Sequence, residues 1–132
     1  MRGEMMAKYF DIDHLLKSAN DLFIFKIRKM KKIKYFKKMR PSGKIWYAES
    51  WGYPLDVELT NKKTLHLACE FYRGTGWILT DRDTGLIAQH DELPNRKQLT
   101  KYISIATPFY SRITDTEYYK AQKDELNQFL KI

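Results

Sequence analysis

The chain has 132 residues, 43% of them hydrophobic and 14% aromatic, which suits one folded domain and excludes a disordered tail. Its 24 Lys and Arg against 16 Asp and Glu leave a net charge of +8, and the single cysteine, Cys69, excludes an internal disulfide framework and a multi-cysteine zinc site. No apolar run approaches the ~18 residues of a membrane span, and Met1–Met6 has no apolar segment behind it to make a signal peptide, so a cytoplasmic protein without membrane contact is expected.

In chain order, Asp13 to Asn20 reads as a short helix with Leu15 and Leu16 inward. Phe23, Phe25 and Ile27 then alternate with Ile24, Lys26 and Arg28, the two-residue period of a half-buried strand. Met30 to Met39 is ambiguous by spacing, and Ile33 and Tyr35 favour a second strand after a Lys31-Lys32 turn. Pro41-Ser42-Gly43 ends the segment.

A meander follows. Strand Ile45–Ser50 leads to a loop, Trp51-Gly52-Tyr53-Pro54, and then to a strand in which Leu55, Val57 and Leu59 alternate with Asp56 and Glu58. Turns at Thr60–Lys63 and Arg73–Gly76 bound the strands Leu65–Tyr72 and Trp77–Thr80. Asp81–Gly85 leads to a short strand, Leu86–Gln89. Trp46 and Trp77 read as strand residues that anchor the sheet.

The last third changes period. Asn95 with Gln98 caps a helix through Leu99, Tyr102 and Ile103 that Pro108 interrupts. Thr114 with Glu117 opens a second helix from about Asp115 to Leu130. The expected fold is one α+β domain over residues 1–132: an antiparallel β-meander of five to six strands, a short N-terminal helix, and two C-terminal helices packed on the sheet.

The positive charge is local. Leu22 to Ala48 holds ten basic residues and no acid, and the rest of the chain is at −2. The basic element at 26–44 contains Lys26, Arg28, Lys29, Lys31, Lys32, Lys34, Lys37, Lys38, Arg40 and Lys44. Neighbouring like charges repel, and a polyanion would relieve the repulsion while releasing its counterions. The competing reading is a solvated lysine face that protects a sheet edge.

Motifs for other chemistry are absent or incomplete. Gly74-Thr75-Gly76 is too short for a phosphate-cradling loop and fits a hairpin turn. His66 and Cys69, three apart on a strand, face opposite sides and cannot share an ion. Asp81-x-Asp83-x-Gly85 begins like a calcium loop but lacks the later acids, so an Asx turn is expected. No G-x-S-x-G surrounds any serine, and Cys69 reads as a small buried hydrophobe. Asp56 and Glu70 resemble two acids of a metal-dependent nuclease core, yet Tyr72 stands where the lysine would be. No catalytic residue, metal ligand or cofactor is assigned.

The expected function is non-enzymatic, weakly sequence-specific binding of nucleic acid (DNA or RNA) or a nucleoprotein. Phosphates would meet Lys31, Lys32, Lys34, Lys37, Lys38, Arg40 and Lys44, and bases would stack on Trp51 and Tyr53, the pair expected to be exposed. A second expectation is a protein-binding inhibitor or adaptor of a phage or mobile element that meets an acidic protein surface, for example an anti-CRISPR-type inhibitor of an RNA-guided nuclease. A third is an enzyme using His66, His90, Asp56 and Glu70.

Overall fold

The computed structural model describes residues 31–40 and 44–131. The helix expected at Asp13–Asn20, the strand at Phe23–Ile27, the Pro41–Gly43 turn, and Lys26, Arg28 and Lys29 of the basic element lie outside those residues.

Four strands form one antiparallel sheet in chain order: β1 (Ile33–Met39), β2 (Trp46–Glu58), β3 (Thr64–Tyr72) and β4 (Gly76–Asp81). Two helices follow, α1 (Arg96–Thr114) and α2 (Glu117–Leu130). The α+β meander with two C-terminal helices is as the periodicities require. Among the described residues the strand count is four, below the five to six expected for the chain, for two identifiable reasons.

The first reason is that Ile45–Ser50 and Leu55–Leu59 are halves of one 13-residue strand. The first half of β2 pairs with β1, from Ile33↔Gly52 to Met39↔Trp46. The second half pairs with β3, from Tyr53↔Cys69 to Glu58↔Thr64. Gly52 and Pro54 suggested a loop. Gly52 is instead a close approach: a Cβ there would stand 2.8 Å from the Cys69 carbonyl oxygen and 3.1 Å from Tyr35 Cε1. Proline is tolerated at position 54 because ladder bonds alternate along an antiparallel pair.

The second reason is that Leu86–Gln89 makes only an isolated bridge, Thr80↔Ile87. The chain from Leu86 to Leu93 still covers the free edge of β4, since the Leu79 carbonyl accepts the Ala88 N–H at 2.9 Å and the Leu93 carbonyl accepts the Trp77 N–H at 2.8 Å. The turn before it is the expected Asx turn, with the Asp83 N–H donating to Asp81 Oδ1 at 2.8 Å. Gly85 sits in that turn at φ +77, and its carbonyl accepts the Lys38 N–H at 2.9 Å, which seats the turn against β1.

The helices divide the sheet. Leu99, Ala106 and Tyr110 of α1 cluster with Leu59, Leu65, Leu67, Cys69, Trp77 and Leu79. Burying each leucine fully contributes about 1.5–3 kcal/mol. Phe129 of α2 meets Phe36 and Tyr47, with ring centroids 6.0 and 4.8 Å away. Thus α1 covers β3, β4 and the end of β2, and α2 covers β1 and the start of β2.

Both helix starts are capped, one of them two residues later than the spacing suggested. Asn95 Oδ1 accepts the Gln98 N–H at 2.9 Å, as expected. The cap of α2 is Thr116, whose hydroxyl accepts the Tyr119 N–H at 3.2 Å. Thr114 is a buried residue of α1 held by Asn61 at 3.1 Å. Pro108 does not end α1. Its ring sits on the exposed side, and the anchoring of Leu99, Ala106 and Tyr110 on the buried side outweighs a proline penalty of about 3 kcal/mol. Trp46 is exposed and does not anchor the sheet, whereas Trp77 is buried. Among the described residues, no helix is long and apolar enough to cross a membrane.

Candidate nucleic-acid interface

β1 carries the described part of the basic element in extended form, so successive lysines leave on opposite faces. Lys37 points away from the helices. Its ammonium lies 3.6 Å from Glu70 and donates to the Tyr72 hydroxyl. Glu70 also accepts from Tyr35 at 2.7 Å and from the Ser50 hydroxyl. Burial opposes ionisation of Glu70, but the donors Ser50, Tyr72 and Tyr35 and the Lys37 charge outweigh it and hold its pKa below the usual carboxylate value. Lys38 points towards α2, where it donates to Gln122 and lies 3.2 Å from Glu125. These two lysines of the expected phosphate set are therefore already paired inside the fold.

The remaining cations are outward. Lys31, Arg40 and Lys44 are exposed and pair with no carboxylate among the described residues. Lys34 is half-exposed and 3.7 Å from Glu49, a weak surface pair. Lys32 places its ammonium 5.5 Å from the centroid of the Tyr53 ring.

Where α1 begins, the helix-facing side of the sheet runs out of cover. There Lys32, Tyr53, Phe71, Trp77, Pro94, Asn95 and Arg96 surround a wide depression of about 710 Å³, with Glu70, already bonded to Tyr35, Ser50 and Lys37, the one acid in its lining. Phe71 is 54% exposed and stands edge to face with buried Trp77, their centroids 5.5 Å apart. Trp51 is 57% exposed, shares the side of Tyr53 by the strand period, and lies opposite Lys34 in the register. The exposure expected of Trp51 is thus observed, though on a strand. Tyr53 is only partly exposed, because its ring also packs on the core. The first turn of α1 contains no acid, so the helix supplies no carboxylate of its own to its positive end beside the depression.

Sequence reasoning named Lys32, Lys34, Trp51 and Tyr53 of this surface and missed Phe71, Trp77 and Arg96. Phe71 reads as ordinary strand filling, and only the starting point of α1 uncovers it. The other chemistries considered do not assemble. Asp56 lies opposite His66, four positions from Glu70 along β3 or roughly 13 Å, and is paired by Arg82 at 2.5 Å. His66 faces Asp83 at 3.1 Å, while Cys69 is buried in the core on the other face. Among the described residues, no three His, Cys, Asp or Glu side chains are gathered to hold a metal ion. Compared with known proteins, the chain matches no family model, no curated protein and no solved structure.

Proposed function

We propose that this protein binds single-stranded nucleic acid with little sequence preference, bases on the Trp51–Tyr53–Phe71 surface and phosphates on Lys31, Lys32, Lys34 and Arg96. One observation carries the reading: solvent-exposed aromatic rings on neighbouring strands are bordered by Lys31, Lys32 and Arg96, which pair with no carboxylate among the described residues, and by Lys34, whose pair with Glu49 is a weak surface one. Every base has a stackable face, each ring contributes about 1–3 kcal/mol, and stacking demands bases free of a duplex. The distribution of charge supports it, since lysine point charges attract phosphates without reading base edges. Arg40 and Lys44 extend the positive field beyond the rings.

The test is fluorescence anisotropy with labelled single- and double-stranded oligonucleotides. Single strands are expected to bind more tightly than duplexes of the same sequence. Phe71→Ala and Trp51→Ala should each weaken single-strand binding about tenfold while leaving the melting temperature close to that of the parent. Binding by both variants as tight as the parent's, or no binding at low salt, would overturn the proposal and point to an acidic protein surface as the partner.

A further inference from the structure

A second cavity, sharing no residue with the aromatic depression, lies between α1, α2 and the chain that follows β4. Its volume is about 160 Å³, close to that of cavities that hold benzene. Tyr102, Phe109 and Tyr110 from α1, Tyr118 and Tyr119 from α2, and His90 from the chain after β4 line it with their rings, and Asp81 lines it at the end of β4.

Hydrogen bonds to the frame occupy the hydroxyls of three of these rings. Tyr119 donates to Asp81 Oδ2 at 2.6 Å, Tyr110 donates to the Ala88 carbonyl, and Tyr102 accepts the His90 N–H at 3.1 Å. With the hydroxyls engaged, these rings offer the cavity mainly aromatic carbon. Asp81 is the unusual member. It is 5% exposed, in a chain of 24 Lys and Arg, yet no cation among the described residues pairs with it. Its partners are the Tyr119 hydroxyl and the Asp83 N–H, which favour the ionised form, but burial outweighs them and raises its pKa above the usual carboxylate value, so a cation beside it would favour ionisation.

We propose that this cavity binds a small methylated ammonium compound, with Asp81 as counter-ion and the rings around the methyl groups. The chemistry is specific to that class. Aromatic faces attract a cation through their quadrupole, and methyl groups bury better than the hydrated protons of a primary ammonium. A neutral compound of the same shape would gain only the apolar contact. The site is independent of nucleic-acid binding, so either proposal can fail alone.

The test is calorimetric titration of the full chain with choline and with 3,3-dimethyl-1-butanol, which replaces the quaternary nitrogen by carbon. Choline is expected to bind saturably and the alcohol about tenfold more weakly or not at all. Asp81→Asn keeps an oxygen for the Asp83 N–H and should weaken choline about tenfold. Tyr118 is 62% exposed at the cavity rim, so Tyr118→Ala leaves the core intact and should weaken choline about threefold or more. Should Asp81→Asn fail to fold, Tyr118→Ala decides by itself. No saturable choline signal at millimolar concentrations, equal affinity for the alcohol, or choline binding unchanged in Tyr118→Ala would overturn the proposal.

Discussion

Lys38 and Glu125 are 87 positions apart and are joined at 3.2 Å, with the lysine side chain only 10% exposed. The pair ties β1 to α2 beneath the Phe36–Phe129 contact. Lys37, the next residue, is turned by the strand pleat to Glu70 on the opposite face. Two adjacent lysines of an apparently uniform basic run therefore hold two different parts of the fold together.

Reversing their charge is consequently an experiment on stability. Lys38→Glu places a carboxylate against Glu125 and should lower the unfolding free energy by about 1–3 kcal/mol, seen as a lower urea midpoint. Lys31→Glu, on the exposed surface, should change it by no more than about 0.5 kcal/mol. Equal midpoints for the two variants would show that the Lys38 pair contributes nothing to folding.

The same pairing limits the salt dependence of nucleic-acid binding. With Lys37 and Lys38 occupied, about four cations remain beside the rings, for a logarithmic salt slope of about −2.8 on single strands. Affinity should fall about fiftyfold between about 50 and 200 mM salt. A slope steeper than about −5, measured by anisotropy, would mean that the whole basic run engages phosphates.

Alkaline pH should unfold the protein. Tyr35, Tyr110 and Tyr119 are each held well above the ordinary tyrosine value, first by burial and then by acidic or tyrosyl neighbours. The unfolded chain thus loses these protons near pH 10 while the folded chain keeps them, so stability is full below that value and declines above it. Ultraviolet titration of the phenols, followed alongside circular dichroism, should show these three ionising together with unfolding. Their ionisation near pH 10 with the fold intact would contradict their burial.

Cys69 should be inert. Burial under α1 pushes its thiol up to about 12, leaving almost no thiolate at neutral pH. A disulfide reagent at pH 8 should react with the native protein only at the rate of opening, and at once in denaturant. Fast stoichiometric reaction of the native state would place Cys69 at the surface.

Much of the fold is legible because the relevant signals are local. Leu55, Val57 and Leu59 show a strand without reference to any other segment. Asn95 and Gln98 mark a helix start, and Asp81 to Gly85 mark a turn. The errors arise where a local signal meets a distant constraint. Gly52 and Pro54 resemble a loop until β1 and β3 pair with successive halves of β2. Pro108 resembles a stop until the buried side of α1 is anchored on the sheet. Thr114 and Thr116 both precede a plausible helix, and the bond from Asn61 to Thr114 leaves the cap to Thr116.

The sequence by itself determined the strand periods, the turns, the two C-terminal helices and the confinement of excess charge to residues 26–44, because each depends on residues within a few positions of one another. Only the tertiary structure decided which lysines remain available, that Phe71 and Arg96 join Lys32 and Tyr53 at one depression, and that Asp81 is buried among aromatic rings without a cation. Those outcomes follow from strand register and helix placement. A one-residue shift in register turns every side chain of a strand to the other face, and no single segment encodes that choice.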